Sequence, residues 1–330
     1  MKPIEKKNPQ GRKLVSVMVP CYNEAENVEA IIAAIIRQME ELPQYAFEVL
    51  LIDNCSTDGT REIIRRICAG EKRVKAIFNV KNFGQFNSPY YALLQCRGDC
   101  AISICADFQD PVEMIPEFLR YWEEGYQIVC GVKTSSKESR LMYGLRTIYY
   151  KLIKKFSAVD QIEHFTGFGL YDRSFLDVLR SLNDPTPFLR GIVAELGGRR
   201  KEIPYEQPLR RAGKTHNNWY TLYDAAMLSV TSYTKVGMRI AVFAGAIFAI
   251  ISLLIGLVYL VMKLIYWDRF VAGQAPSVII TSLMGSILLC FIGILGEYIS
   301  AINMRTMHRP LVVEEERLNF DEPEGGSSDD

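Results

Sequence analysis

The chain has 330 residues and equal numbers of acidic and basic side chains, so its formal net charge is zero. This length allows one large domain with an appendage, and the balanced charge does not indicate a nucleic-acid-binding protein. The eight cysteines form no C-x-x-C pair, and no histidine lies near Cys96, Cys100 and Cys105 to complete a zinc site. We therefore expect free thiols in a reducing cytosol. The polar, charged residues 1–13 predict a flexible N-terminus rather than a signal peptide.

Short apolar runs alternate with amphipathic segments over the first part of the chain. The apolar runs predict strands at 14–19, 47–52, 74–78, 100–106 and 127–132. Apolar residues at helical spacing predict helices at 25–41, 58–69, 88–95 and 112–124. This alternation indicates a mainly parallel sheet with helices on both faces, so we expect an α/β domain over residues 14–215.

Two segments, one in the middle of this domain and one directly after it, predict helices at a membrane interface. Residues 139–156 combine an apolar face with several basic side chains. A helix of this kind can lie on lipid headgroups, and a surface helix with a solvated basic face explains the pattern equally well. Residues 216–236 form a second predicted helix that leads directly into an apolar stretch.

Two long apolar stretches predict a transmembrane hairpin over residues 237–304. Residues 240–262 carry no charge, and residues 278–302 carry only Glu297, near their end. Each stretch reaches the about 20 residues that a helix needs to cross a bilayer. The alternative is a pair of buried core helices, but soluble cores rarely contain such long stretches without charge.

The charges next to the hairpin predict its orientation. Four basic residues flank its outer ends: Lys235, Arg239, Arg305 and Arg309. Because positive charge is retained in the cytoplasm, both outer ends and the large domain are expected there. The remaining tail, 305–330, is acidic from Glu314 onward and low in apolar residues, so we expect that acidic part to be disordered.

Polar residues follow each of the first four predicted strands. These clusters lie at 20–24, 53–60, 81–84 and 107–110. Because the carboxyl ends of parallel strands share one edge of a sheet, the clusters can converge on one crevice, although each alone also fits a helix cap or a tight turn. The chain has neither of the common glycine-rich phosphate loops. A metal ion on Asp107 is therefore the predicted means of holding phosphate.

Six short motifs occur in order along the chain. They are VPCYNE at 19–24, DNCSTDGT at 53–60, KNFG at 81–84, ADFQDP at 106–111, FTGFGLYDR at 165–173 and RRAGKT at 210–215. Followed by the apolar hairpin, they resemble the family 2 glycosyltransferases over residues 14–309, and within them the polyprenyl-phosphate glycosyltransferases such as bactoprenol glucosyltransferases. The resemblance implies a Rossmann-like glycosyltransferase A fold that binds a nucleotide-diphosphate sugar, followed by the two-helix transmembrane hairpin.

The resemblance also implies which residues bind the sugar donor. These are Pro20, Tyr22, Glu24, Asp53, Asn82, Asp107, Arg210 and Thr215. Within this set, Asp53 would hydrogen-bond the base. Arg210 and Thr215, together with Gly213, would belong to a loop that closes over the diphosphate.

Further roles follow from the same resemblance. Asp107 and Gln109 would hold Mg²⁺ or Mn²⁺, and Lys133 and Arg146 would bind the acceptor phosphate. Catalytic roles are implied for Asp107, Asp160 and Arg210.

The chain departs from the family pattern at two positions. Cys105 stands where an aspartate is usual, and a neutral thiol is a poor ligand for Mg²⁺ or Mn²⁺, so Asp107 would carry most of the charge. Gly167 stands where many relatives carry an acid, and Asp160 or Glu163 could replace that acid.

The resemblance predicts an inverting transfer of a hexosyl group, glucose first among the candidates, from a UDP-sugar to polyprenyl (undecaprenyl) phosphate. The product would be a lipid-linked sugar donor for modifying cell-envelope glycans. The enzyme would be a homo-oligomer, multi-pass in the inner membrane, with its catalytic domain in the cytoplasm. Two alternatives remain. One is a processive polysaccharide synthase, whose Q-x-x-R-W loop would here end in Arg211, and the other is a non-catalytic membrane-anchored nucleotide-sugar binder.

Overall fold

The computed structural model describes residues 11–135, 162–212, 274–307 and 309–320, together with scattered helical positions between 227 and 265. The chain divides into two compact units. The first holds every described strand and includes the segment from residue 307 to the end, and the second includes residues 218–306. The predicted interface helix 139–156 and nearly all of 216–236 lie outside the described residues.

The first unit is built on one mixed sheet of eight described strands. They are β1 (Lys13–Cys21), β2 (Tyr45–Asp53), β3 (Val74–Asn79), β4 (Cys100–Ser103), β5 (Ile128–Ser135), β6 (Phe165–Asp172), β7 (Arg200–Glu206) and β8 (Glu314–Leu318). Their order across the sheet is β7-β5-β6-β4-β1-β2-β3-β8. Strands β6 and β8 run opposite to the other six. The predicted α/β class and the five predicted strands are confirmed, although β4 ends at Ser103 instead of Ala106.

Helices cover both faces of this sheet, as predicted. They are α1 (Val28–Glu40), α2 (Thr60–Gly70), α3 (Gly84–Gln95), α4 (Ile115–Glu123), α5 (Arg173–Leu182) and α6 (Leu189–Leu196), and a 3₁₀ turn at Val112–Met114 precedes α4. The apolar sides of α1, α2 and α4 pack in one core cluster, and those of α3, α5 and α6 pack in the other. Alternate residues of the central strands point into the two clusters. Val17 enters the first and Met18 the second, which is the period-two pattern of a sheet buried on both sides.

The expectation that the acidic tail is disordered is wrong for its first part, which forms a strand. Residues from Glu314 were expected to be disordered, yet Glu314–Leu318 forms β8, antiparallel to β3 at the edge of the sheet. The strand's sequence, EEERL, contains one apolar residue, Leu318, which packs against the first core cluster, and its acidic side chains pair with basic partners from α2. Arg61 and Arg65 supply these partners for Glu315 and Glu316.

The second unit contains a long apolar helix, α7 (Gln274–Thr306), of 33 residues. It is the one helix within the described part of the chain that is long and apolar enough to cross a bilayer. Its segment Ile287–Met304 has a mean hydropathy of 1.8, and none of it is buried. The first predicted span, 240–262, lies largely outside the described residues, and its described positions are helical.

Candidate functional site

The loops that follow β1 and β2 are joined by hydrogen bonds at the carboxyl edge of the sheet. The Asn23 backbone N–H donates to Ser56 Oγ (2.9 Å), and the Thr57 N–H donates back to Asn23 Oδ1 (2.8 Å). The Glu24 N–H donates to Thr60 Oγ1 (2.9 Å). The first two polar clusters predicted from the sequence are therefore in direct contact.

The Asn54 side chain brings the third cluster to the same edge. Its Nδ2 donates to Asn82 Oδ1 (2.8 Å) and to the Gly84 carbonyl (3.2 Å), and its Oδ1 accepts from the Phe83 N–H (2.9 Å). Asn82 itself is exposed. The side-chain oxygen of Asn82 accepts hydrogen bonds from Asn54 and from the Gly84 N–H, and so stabilises the turn before α3. The side-chain NH₂ group of Asn82 is the part that a ligand could contact.

Asp53, at the last position of β2, is fully buried and only partly satisfied. Its Oδ2 accepts from the Ser56 N–H (3.1 Å) and lies 3.0 Å from Arg61 Nε. Its Oδ1 is buried without a hydrogen-bond partner among the described residues. Burial raises the pKa of the Asp53 carboxyl, and the Ser56 hydrogen bonds and the Arg61 charge only partly oppose that rise. An unpaired buried acceptor costs about 1–3 kcal/mol, which a donor group on a ligand would recover.

Asp107, in the loop after β4, is paired with Arg210 from the segment after β7. Asp107 Oδ2 accepts from Arg210 Nε (3.0 Å) and Nη2 (2.8 Å), and its Oδ1 accepts from the Gln109 N–H (3.1 Å). Arg210 Nη2 also lies 4.0 Å from Glu24 Oε1. The structure therefore brings the fourth cluster and the predicted diphosphate loop to the edge where Glu24 lies.

Asn27, a residue that the sequence analysis missed, helps to hold this arrangement. Its side-chain Nδ2 donates to Glu24 Oε2 (2.7 Å) and to the Ala212 carbonyl (3.2 Å). It is buried, and its only signal in the sequence was its place just after the VPCYNE motif. The loop at 210–212 is further tied to Asp107, whose carbonyl accepts from the Arg211 N–H (3.3 Å).

Asp110 is buried beneath this site, where it shapes the loop after β4. Tyr205 donates its hydroxyl to Asp110 Oδ1 (3.1 Å), and the Cys105 N–H donates to Asp110 Oδ2 (3.0 Å). The pKa of Asp110 is raised above its usual value, because the effect of burial exceeds the opposing effects of the hydrogen bonds from Cys105 and of the Lys133 charge. Lys133, predicted to bind the acceptor phosphate, thus lies on β5 close enough to act on an acidic group of the site.

The other predicted site residues fall into two groups. Pro20 and Tyr22 are half-buried at the end of β1 and in the loop that follows it. The rest lie outside the described residues, so their roles stay predictions: Arg146, Asp160, Gly213 and Thr215.

The two departures from the family pattern have different structural settings. Gly167 lies within β6 at φ +104°, a backbone conformation that strains any residue with a Cβ. An acidic side chain at this position would therefore require a different backbone. Cys105 is exposed two residues after the end of β4, and Glu163, one proposed substitute for the acid, is exposed just before β6.

The described residues fit a metal ion only in part. They contain no group of three or more His, Cys, Asp or Glu side chains close enough to enclose one. Asp107 offers a carboxylate of the kind that Mg²⁺ and Mn²⁺ prefer, and Gln109, whose backbone N–H donates to Asp107 Oδ1, carries an amide oxygen in the same loop. This set suits a cation that takes its remaining ligands from a bound diphosphate.

Comparisons with known proteins agree with the motifs. The model of glycosyl transferase family 2 matches residues 16–180. The chain is 30% identical over 298 residues to the bactoprenol glucosyl transferase of Shigella phage SfX, covering 90% of this chain and 97% of that protein. It is 28% identical over 316 residues to the putative glycosyltransferase CsbB of Bacillus subtilis, covering 94% of each. A more distant likeness is to glucosyl-3-phosphoglycerate synthase from Mycobacterium tuberculosis, solved with phosphoglyceric acid. It has 16% identity and a TM-score of 0.48, covering 66% of this chain and 79% of that one.

Proposed function

This chain belongs to glycosyl transferase family 2 and is a glycosyltransferase, and we propose that it transfers a hexosyl group from a UDP-sugar to a polyprenyl phosphate. Glucose is the first candidate sugar, because the relative of 30% identity is a bactoprenol glucosyl transferase. The observation that carries the proposal is the meeting of Asp107, Arg210 and Glu24 at the carboxyl edge of the sheet. Ligands of α/β sheets bind at this edge.

Arg210 is suited to stabilise the diphosphate that leaves the donor. Its guanidinium already lies between the carboxylates of Asp107 and Glu24, and phosphate oxygens accept the same hydrogen bonds as carboxylates. A Mg²⁺ or Mn²⁺ ion held by Asp107 and Gln109 would supply further positive charge for the diphosphate. Asn27 keeps the 210–212 segment at the edge of the site through the Ala212 carbonyl.

Asp53 is suited to recognise the base. Its buried Oδ1 is an acceptor without a partner among the described side chains and backbone groups, and uracil presents a ring N–H donor. The half-buried Tyr22 and Pro20 lie along the same edge, at and after the end of β1, where they would enclose the nucleoside.

The acceptor needs little activation by the protein. A phosphate monoester is already an anion near neutral pH, so a general base contributes less than it would for an alcohol. The chain's task is to hold the acceptor phosphate in line with the sugar and to balance its charge. Lys133 on β5, with Arg146, is the proposed contact for that phosphate.

A membrane hairpin at the cytoplasmic face would bring the enzyme to its lipid acceptor. Strand β8 follows α7 in the chain, yet it belongs to the same unit as β3. If α7 crosses the bilayer, the chain must therefore cross an even number of times. Residues 240–262 are the proposed second crossing, since their described positions are helical and include exposed apolar side chains such as Ile250 and Leu254.

The test is a transfer assay on the purified full chain. The protein is incubated with labelled UDP-sugars, polyprenyl phosphate and Mg²⁺ or Mn²⁺, and sugar-lipid is measured after extraction. We expect product with UDP-glucose. For Asp107→Asn we expect a rate at least about 100-fold lower, because Asp107 would no longer hold the metal ion or position Arg210, the groups that would balance the charge developing on the diphosphate.

Asp177→Asn is the matched control, because Asp177 is exposed on α5 and pairs only with a neighbouring arginine on that helix in its described contacts. It should retain the wild-type rate. Absence of sugar-lipid with every common donor would overturn the proposed transfer. A near-normal rate for Asp107→Asn would overturn the role given to Asp107 alone.

A further inference from the structure

The acidic strand β8 contacts helix α2 through two parallel ion pairs. Glu315 Oε2 lies 2.6 Å from Arg61 Nη2. One residue further, Glu316 Oε2 accepts from Arg65 Nη2 (2.9 Å) and Nε (3.1 Å). The two pairs join the same strand to the same helix, and both arginines lie against the ring of Phe78.

Only the first of these pairs continues into the proposed donor site. Arg61 Nε lies 3.0 Å from Asp53 Oδ2, while Arg61 Nη2 lies 2.6 Å from Glu315 and 3.2 Å from the Asn79 carbonyl. The Arg61 side chain is 16% exposed, whereas Asp53 is fully buried. One guanidinium therefore bridges the buried carboxylate and the C-terminal strand.

The bridge has a consequence for the charge on Asp53. Burial favours the neutral form of this carboxyl, and the positive charge of Arg61 opposes that effect. The guanidinium can do so only while it stays turned inward at this distance. Glu315 and the Asn79 carbonyl hold its outer end, so Glu315 limits the orientations that Arg61 can adopt.

We propose that β8 contributes to the donor site through Glu315. Glu315 acts as a positioning residue that holds Arg61 against Asp53, and Asp53 recognises the nucleotide base. This inference rests on the proposed function, because it assumes that Asp53 contacts the base. It gives the segment after the membrane helix a role in donor binding that its acidic, apolar-poor sequence did not suggest.

The first experiment compares two single variants of the full chain. UDP binding is measured by titration calorimetry, and the KM for the sugar donor and kcat are measured in the transfer assay. For Glu315→Gln we expect about a tenfold rise in both the UDP Kd and the donor KM, with kcat within about twofold of wild type. The substitution weakens the charged hydrogen bond at the outer end of Arg61, so Arg61 is held less firmly against Asp53. Glu316→Gln, which loses the equivalent pair to Arg65, should leave all three values unchanged.

A second experiment tests whether Glu315 acts through Arg61. Arg61→Gln should weaken UDP binding by at least as much as Glu315→Gln. Adding Glu315→Gln to Arg61→Gln should then cause no further loss, since the interaction between the two residues is already absent. Additive losses would show that Glu315 affects the site by another route and would overturn the proposal.

The outcomes separate this inference from the proposed function. If the wild-type protein does not bind UDP, the proposed donor is wrong and the inference falls with it. If the wild type binds UDP but Glu315→Gln binds it as tightly as Glu316→Gln does, the inference alone is overturned. Should Arg61→Gln fail to fold, the comparison of the two glutamate variants decides the question.

Discussion

Asp107 and Arg210 lie 103 residues apart in the chain, and the structure pairs them at 2.8 Å. The sequence analysis predicted both as site residues, but it assigned them separate partners, a metal ion and a diphosphate. The observed ion pair shows that each balances the other's charge within the protein itself. Binding of a cation and a diphosphate at this site would therefore exchange an existing ion pair for two new ones.

Gly167 is the residue where the backbone explains a departure from the family pattern. Its φ of +104° is strained for any residue with a Cβ, although no atom would block that Cβ. We expect Gly167→Ala to destabilise the protein by about 1–2 kcal/mol through this strain alone. The measurement is the thermal midpoint of the full chain in detergent.

Gly70→Ala is the control for that measurement. Gly70 is the last residue of α2, its φ is not positive, and a Cβ there would meet open space. This variant should be as stable as the wild type or slightly more so. Equal midpoints for Gly167→Ala and Gly70→Ala would contradict the argument from backbone strain.

At the level of secondary-structure elements, a buried ionic network joins the first three strands. Glu48 on β2 accepts from Ser16 Oγ on β1 (2.6 Å) and from the Arg97 N–H (2.9 Å), and it pairs with Lys75 Nζ on β3 (2.7 Å). Burial alone would raise the pKa of Glu48, but Lys75 and the two hydrogen bonds outweigh it, so that pKa is lowered. The network thus stabilises the sheet only while Glu48 is ionised.

The lowered pKa predicts how this stabilisation depends on pH. It is fully present above the unfolded-state pKa of about 4.3 and is lost as the pH falls through the lower pKa of the folded state. At pH 7, Glu48→Gln should reduce stability by about 3 kcal/mol, because Lys75 loses its buried partner. In thermal unfolding, the gap between variant and wild type should close as the pH falls below about 4.3.

Glu117→Gln serves as the control, because the Glu117 side chain is 43% exposed on α4 and pairs with Arg120 on the same helix. Its thermal midpoint should follow that of the wild type at every pH. A gap for Glu48→Gln that stays constant from neutral to acidic pH would contradict the predicted titration.

Strand β8 is an element that its amino-acid composition did not predict. A run such as EEERL predicts a solvated tail, because Leu318 is its one apolar residue. The structure nevertheless pairs it with β3, where two arginines of α2 meet its carboxylates. The partners lie about 250 residues away in the chain, so no local pattern could have indicated them.

At the scale of the whole molecule, the membrane topology can be tested directly. Helix α7 has 33 residues, or about 50 Å, which exceeds the about 30 Å of a bilayer's hydrocarbon core. The return of β8 to the sheet unit predicts that the chain enters and leaves the membrane on the same side. A fluorescent protein fused after residue 320 should therefore be fluorescent in the cytoplasm.

The matching fusion is placed in the predicted connection between the two apolar stretches. Alkaline phosphatase fused after residue 268 should be active, since that point would lie outside the cytoplasm. An inactive phosphatase there would contradict the hairpin, and a C-terminal reporter found outside the cytoplasm would contradict the even number of crossings.

The sequence by itself determined the features that depend on neighbouring residues. These include the central strands and their helices, the polar clusters at the strand ends, the apolar stretches and the family motifs. Each arises from hydrophobic periodicity or from residue types within a short window, so each can be read without knowing the fold.

Only the tertiary structure decided which distant groups meet. It placed β8 beside β3, paired Arg210 with Asp107, tied Asn27 to the 210–212 segment and set Arg61 between Asp53 and Glu315. It also gave Gly167 its unusual backbone. These contacts form because folding buries charged and polar groups that must then find partners. Which partners are available depends on the order in which the strands pair across the whole sheet.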